Sequence, residues 1–350
     1  MPPRSRSPAR APPAAKAPPP KPPSPPPRAL RWFHVIGALH VLVLAFSAHR
    51  LLAPPPALDR AAFKQKYGGG TAVVTGAARG IGAAFARQIA ELGIDLVLVS
   101  WRKETLRPTV DAIRKEYGVK VTAVVAKFGD PDAEEAVLRA TADLNVSLFV
   151  ANHAPTNKMY ESKCDNVGLK RRYWVNERLE DHLDQASIGY VSILKLTHAY
   201  ARKQAEAGAG GIILSSSTSS LKPMPFLVQY GSTKAALSHF GLGLWAEMRD
   251  FGVDVLTANF GATDTPALRL ATTESAIDII KPQTADAAVS EVLRALGHWP
   301  VVVPGTWDKF QEFVLGRLLP PAATSWILQN FFREHFDTQP AGVLLDSDDC

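Results

Sequence analysis

Residues 71–92 read TAVVTGAARGIGAAFARQIAEL, and the reading of this stretch decides the fold. Thr71–Thr75 is short, apolar and β-branched, which predicts a strand. Ile81, Phe85, Ile89 and Leu92 recur at helical spacing, which predicts a helix over Ile81–Leu92. Between the two lies Thr75-Gly76-Ala77-Ala78-Arg79-Gly80-Ile81-Gly82. Glycines here let the chain turn tightly and let its backbone approach a pyrophosphate. The helix N-terminus then offers free N–H groups and the positive end of its dipole to that anion. A lone glycine pattern is weak, but one seated between a strand and a helix is specific. The first two glycines are three residues apart, unlike the GxGxxG fingerprint. The plain alternative is a tight strand-to-helix turn with no ligand.

The same alternation continues outward. Strands are expected at Asp95–Ser100, Lys120–Ala126, Val146–Val150, Gly211–Ser215 and Val253–Phe260, with a seventh at Val301–Pro304. Helices are expected at Leu106–Tyr117, Asp132–Ala142 (entered through Asp130-Pro131), Ile188–Ala205 and Thr233–Phe251. Strand–helix alternation implies right-handed crossovers and a buried parallel sheet. The expected fold is α/β: a Rossmann-type doubly wound sheet of about seven strands, in one domain.

Four segments are expected: a Pro/Arg-rich disordered tail over 1–31, an apolar segment over 32–53, a catalytic domain over 60–300 and a C-terminal extension over 301–350 with apolar helices. The net charge of +6 belongs to the start of the chain. Before Asp59 stand eight of the 39 basic residues and no acid; the remainder holds 31 basic against 33 acidic residues. The high pI therefore gives no reason to expect nucleic-acid binding. Three readings of 32–53 stay open: a membrane anchor, a cleaved targeting segment and an amphipathic helix. The expected location is membrane-associated, in the endoplasmic reticulum or an organelle, by a single N-terminal anchor. Cys164 and Cys350 have no metal-ligand spacing, and no metal is expected.

Cofactor choice depends on the end of the second strand. An acid there would hold a ribose hydroxyl, whereas a basic residue suits a 2′-phosphate. The sequence is Ser100-Trp101-Arg102, and Arg79 adds a second cation in the glycine loop, so NADP(H) is favoured over NAD(H). For Arg102 the plain alternative is a solvated loop charge.

Tyr230-Gly231-Ser232-Thr233-Lys234 puts a tyrosine and a lysine on one helical face. A nearby ammonium is expected to lower the tyrosine pKa from about 10 and let it exchange protons near neutrality. Ser215-Ser216-Ser217 ends the fifth strand, where open α/β sheets bind ligands.

On these motifs the chain resembles the short-chain dehydrogenase/reductase family over residues 65 to 270. Thr75–Gly82 is similar to its TGxxxGIG, and Tyr230 with Lys234 to its YxxxK. Ser217 stands at the spacing of its serine, with Ser216 as the alternative. Residues 260–265 resemble its PGxxxT, with Phe260 in place of proline. Lys66-Tyr67-Gly68 and Val97–Ser100 look most like the 17β-hydroxysteroid dehydrogenase and 3-ketoacyl-CoA reductase branch. The resemblance implies an oxidoreductase of lipid metabolism that moves a hydride between NADP(H) and a small lipophilic carbonyl or alcohol. Tyr230 would be the general acid, Lys234 would bind the nicotinamide ribose, and Ser217 would bind the substrate oxygen. Thr75, Gly76, Arg79, Gly80, Ile81, Gly82, Arg102, Asn152, Tyr230, Lys234, Gly261 and Thr265 would contact the cofactor. Homo-oligomerisation would fit.

Departures from the pattern keep a second function open, a catalytically weakened dinucleotide-binding sensor or scaffold. The family NNAG stands here as Ala151-Asn152-His153-Ala154. The acid expected after the third strand falls at Lys127, and the tetrad asparagine at Ala186 or Ser187. His153 reads as a structural or solvated histidine, or as a substitute proton carrier. The charged stretch 155–184, longer than the family norm, reads as a solvated helical insertion or as a cover over the cleft.

Overall fold

The computed structural model describes residues 28–154, 173–272, 274–336 and 338. The chain divides into two units, 1–47 and 48–350. Helix α1 (Arg28–Leu52) crosses that boundary and begins inside the expected tail, whose residues 1–27 lie outside those described.

The second unit opens with α2 (Arg60–Tyr67), capped by the Asp59 side chain accepting from Ala62 N–H at 2.9 Å. It continues β1 (Thr71–Thr75), α3 (Gly80–Glu91), β2 (Asp95–Ser100), α4 (Lys103–Tyr117), β3 (Val121–Val125), α5 (Ala133–Ala140) and β4 (Val146–Ala151). After residues 155–172 come α6 (Leu179–Ala186), α7 (Ser192–Ala207), β5 (Gly210–Ser217), α8 (Val228–Met248) and β6 (Val253–Phe260). Then follow β7 (Thr263–Asp264), α9 (Pro266–Ala271), α10 (Glu274–Ile280), β8 (Gln283–Thr284), α11 (Ala285–Ala295), β9 (Val301–Val302), α12 (Thr306–Glu312) and α13 (Pro321–His335).

Seven parallel strands pair in the order β3-β2-β1-β4-β5-β6-β9. The inner strands are buried on both faces and mostly apolar, and residues of opposite parity serve opposite cores; the edge strand β3 is exposed at Thr122, Ala123 and Val125. Ala72, Val74, Leu96, Leu98, Leu148 and Val150 join the core that also takes residues of α3, α4 and α11. Val73, Val97, Val99, Phe149 and Leu214 face the other core, with residues of α5, α7 and α8. The strand order reverses between β1 and β4. Their carboxyl ends therefore diverge into the crevice where doubly wound sheets take ligands.

Several elements differ from expectation. The cap of α5 is Asp132 rather than Asp130, and Pro131 precedes the helix by two residues. The expected helix over Ile188–Ala205 starts as a π-helical turn, Ser187–Val191, continuous with α6 and α7. Helix α8 starts at Val228, five residues before Thr233, and so takes Tyr230 into its first turn. The last strand is only two residues long.

The N-terminal anchor is corrected. Among the described residues no helix is long and apolar enough to cross a membrane. Helix α1 carries His34, His40 and His49, and its unbroken apolar run is Val41–Phe46. At 1.5 Å per residue that run rises about 9 Å, far short of the ~30 Å hydrocarbon core.

Candidate active site

The glycine turn is built by close backbone packing. Gly76 and Gly80 have φ of +66° and +53°, which a side chain would resist. A Cβ at Gly82 would lie 2.1 Å from Gly76 O and 2.8 Å from Asn152 Nδ2. The turn is held from outside as well: Ala77 N–H donates to Val99 O (3.0 Å), and Thr109 Oγ1 donates to Ala78 O (2.9 Å). Asn152, just past β4, donates its side-chain amide to Thr75 O (3.3 Å) and Gly76 O (3.4 Å). Thr265, the N-cap of α9, lies against the same turn, since a Cβ at Gly80 would be 2.8 Å from Thr265 Cγ2.

The structure thus brings together Thr75, Gly76, Gly80, Gly82, Asn152 and Thr265. Helix α3 has no acidic residue in its first turn and no side-chain cap at Arg79. The N–H groups of Gly80, Ile81 and Gly82 have no helical carbonyl to bond, and the positive dipole end is uncompensated. An uncapped terminus in a glycine cradle fits a pyrophosphate. Arg79 is exposed, with no ion pair among the described residues. Arg102, at the end of β2, lies over the Trp101 ring, 3.7 Å from its centroid. Lys127 pairs instead with Asp130 at 3.4 Å.

His153 is structural in this arrangement. Its ring is buried against Phe128, with centroids 3.8 Å apart. Nε2 lies 2.7 Å from Ser192 Oγ, which itself donates to Ile188 O at 2.6 Å. Nδ1 lies 2.8 Å from Thr75 Oγ1, so both ring nitrogens have a hydroxyl partner. Burial first, and the nearby Lys234 charge second, push the imidazole down to about 3. It is neutral at pH 7 and bridges β1, β4 and the π-helical turn at Ile188. Ala186 closes α6 and carries no polar side chain; Ser187 is its exposed C-cap.

Ser217, Tyr230 and Lys234 meet at the carboxyl end of β5. Ser217 is at the strand's last position; its Oγ accepts Ser219 N–H at 3.2 Å and is hydrogen-bonded to Tyr230. Strand alternation separates it from Ser216, which points into α8. Ser216 Oγ donates to Lys234 O (2.9 Å) and accepts from Ser238 (2.8 Å). Lys234 is 3% exposed, with no ion pair among the described residues. Its Nζ donates to Ser215 O at 2.8 Å and lies 5.8 Å from the Tyr230 ring centroid. Burial lowers the ammonium to about 8.

The tyrosine's expected shift is corrected in sign. Burial raises the Tyr230 phenol above its ordinary value, and the Ser217 hydrogen bond only partly opposes this. The ammonium points its proton at a backbone carbonyl, so burial dominates.

Two further features came from packing alone. Gly261 is pressed against Asp308 of α12. Phe226, Leu328 and Phe332 form a small core with Tyr173, Met224, Leu227, Leu315 and Phe336. Met224 also touches α8 next to Tyr230, because a Cβ at Gly231 would be 3.6 Å from its Cβ. The C-terminal aromatics therefore divide: Phe332 is core, whereas Trp307, Phe310 and Trp326 are exposed. The suggested cover lies largely in 155–172, outside the described residues; of the remainder, Tyr173 accepts from Arg333 at 2.9 Å.

Comparison with known proteins agrees with this geometry. Residues 70–276 match the short chain dehydrogenase family. The chain is 28% identical over 306 residues to hydroxysteroid dehydrogenase-like protein 1 of Gallus gallus, covering 86% of this chain and 87% of that protein. It is 30% identical over 193 residues to the very-long-chain 3-oxoacyl-CoA reductase of Anas platyrhynchos, covering 53% and 57%. A solved 7β-hydroxysteroid dehydrogenase superposes with a TM-score of 0.67 at 26% identity, over 76% of this chain and 99% of that one. With the glycine cradle at the strand-order reversal and the family match running from β1 past β6, the chain belongs to the short-chain dehydrogenase family and is an oxidoreductase of the nicotinamide-dinucleotide-binding kind.

Proposed function

We propose that the protein interconverts a lipophilic carbonyl compound and its alcohol with NADP(H), with Tyr230 as general acid and base. One observation carries this reading: Ser217, hydrogen-bonded to Tyr230, and the buried Lys234 lie together at the carboxyl end of β5. In reduction, the Tyr230 hydroxyl gives its proton to the substrate oxygen, which Ser217 orients. Lys234 then faces the phenolate and offsets its charge. Reduced nicotinamide supplies the hydride when bound. In oxidation the tyrosine takes the proton back.

The cofactor would be held by Thr75, Gly76, Gly80, Ile81, Gly82, Asn152, Gly261 and Thr265. Arg79 and Arg102 would receive a 2′-phosphate, and the absence of an acid at Ser100-Trp101-Arg102 supports NADP(H). A lipophilic substrate is supported by the apolar group of Met224, Phe226 and Leu227, which leads to Tyr230. Named relatives acting on hydroxysteroids and very-long-chain 3-oxoacyl-CoA support the same class and a place in lipid metabolism. The catalytic stretch would run over 60–300, with 301–350 as a C-terminal extension. Exposed Val191, Leu194 and Leu242 on the π-helical turn, α7 and α8 would suit a second copy of the chain.

The test is NADPH oxidation with ketosteroids and 3-oxoacyl-CoA esters. Tyr230→Phe is expected to cut turnover by at least ~10²-fold with cofactor affinity within a few-fold. Undiminished turnover would refute the assignment.

A further inference from the structure

Gly261 follows β6, and its lack of a side chain is demanded by space rather than by backbone angle. A Cβ there would fall 2.0 Å from Asp308 Cγ and 2.0 Å from its Oδ1. Asp308 comes from α12, 47 residues further along the chain. Asp308 is 8% exposed, and its carboxyl accepts the Ala262 N–H and Gln283 Nε2–H, the latter at 3.0 Å. Gln283 also donates its backbone N–H to Ala262 O at 3.1 Å and its side chain to Pro304 O at 2.8 Å. Both polar backbone groups of Ala262 are therefore taken, one by α12 and one by β8. The pairing of Thr263 with Gln283 and of Asp264 with Thr284 extends this grip to the residue before Thr265. Thr265 in turn lies against Gly80.

The loop after β6 and β8 meet Asp308 with neutral groups, Gly261, Ala262 and Gln283; charges come from the loop before α8, α11 and α12. Lys222, from the loop before α8, pairs with Glu312 of α12 at 3.2 Å, and Arg317 also acts on Glu312. Lys309 of α12 contacts Glu291 of α11, which accepts Gly305 N–H at 2.8 Å. The two acids of these pairs already have cations. Lys222 acts on Asp308 as well, whose hydrogen bonds go to Ala262 N–H and Gln283.

We propose that Asp308 is a positioning residue for the cofactor: its carboxylate, wedged against Gly261 and holding Ala262 N–H, keeps 261–265 in the shape that receives the nicotinamide end. This rests on the reading of Gly261 and Thr265 given under the proposed function. Burial raises the Asp308 carboxyl to about 6, opposed by Ala262 N–H, Lys222 and Gln283. The wedge is ionised at pH 7.5 and loses its charge as pH falls through about 6. A neutral acid accepts hydrogen bonds more weakly than a carboxylate, so grip and cofactor affinity fall together in that window.

The test uses the full chain, with NADPH binding and steady-state kinetics from pH 5.5 to 8. Asp308→Asn sets an amide donor against the Gln283 donor. It is expected to raise the NADPH Kd and KM by about 5- to 20-fold at pH 7.5, the scale of one or two charge-assisted hydrogen bonds. The kcat is expected to change by less than about threefold, since the reacting groups are untouched. The 2′-phosphate of NADPH titrates near 6 as well, and contributes equally to both proteins. The loss of affinity from pH 7.5 to 5.5 should be smaller in the variant.

A second route reads the contact itself. Gly261→Ala forces a methyl into the carboxyl, and Asp308→Ala removes the obstacle. The double variant is expected to bind NADPH no worse than Asp308→Ala alone. Intact binding that ignores Asp308→Asn, or additive losses in the cycle, would overturn the proposal alone. Wild-type protein that binds neither NADPH nor NADH would overturn the cofactor-site reading and this proposal with it.

Discussion

Lys234→Met should abolish turnover yet leave the protein at least as stable at pH 7. The ammonium is 3% exposed and has a backbone carbonyl as its hydrogen-bond partner. A pKa lowered from 10.5 to about 8 corresponds to about 3 kcal/mol against the charged form, at ~1.4 kcal/mol per pH unit. Methionine removes that cost with little change in volume. It also leaves Ser215 O without its donor, about 1–2 kcal/mol, and removes the ring contact with Tyr230, about 0.5–1 kcal/mol. The balance runs from near zero to a gain of about 1.5 kcal/mol. The sign with pH follows from proton counting. Between about 8 and 10.5 the unfolded chain holds a proton that the folded chain has released, so wild-type stability rises with pH there. The variant's advantage should therefore shrink from pH 7 to pH 9.5. Urea unfolding of both proteins at these two pH values, without cofactor, reads the difference. Destabilisation of 3 kcal/mol or more at pH 7 is the mark of a broken buried pair, and would refute the account of an unpaired cation.

Gly82→Ala puts a methyl 2.1 Å from Gly76 O, and should abolish the thermal shift given by NADPH; a preserved shift would show that the turn is not the cradle. His153→Phe keeps the stack on Phe128 but loses two hydrogen bonds, and should cost about 1–3 kcal/mol at pH 7. Because the folded imidazole sits at about 3 and an unfolded one near 6.5, wild-type stability falls as pH drops below 6.5. The gap between the two should close by pH 5 in urea melts, and a constant gap would contradict a neutral buried histidine. Arg102→Asp should lower kcat/KM for NADPH by about 10- to 100-fold while sparing NADH; an unchanged preference would return Arg102 to the role of a surface charge.

The sheet was legible because parallel strands buried on both faces are predominantly apolar, whatever their partners. Asp95–Ser100 and Val253–Phe260 therefore emerged with their observed limits. Boundaries failed where a side chain had two possible backbones to serve. Asp130 and Asp132 are equally good caps by composition, and the helix takes the second. The start of α8 was hidden by Pro223 and Pro225, which interrupt the pattern just ahead of Val228.

At the site, the glycine turn and the closeness of Tyr230 to Lys234 follow from residue type and spacing, because each lies within one local segment. Local order also implied a bilayer-length N-terminal segment, which the described helices do not support. Distant contacts were decided by the tertiary structure. It gave Ser217 and Ser216 different partners, buried His153 between Thr75 and Ser192, and reversed the expected shift of Tyr230. It also brought Asp308 onto Gly261. Sequence patterns report periodicity and the chemistry of neighbours along the chain. Burial and the direction in which a proton points depend on which remote segments pack together, and those terms set the charges at this site.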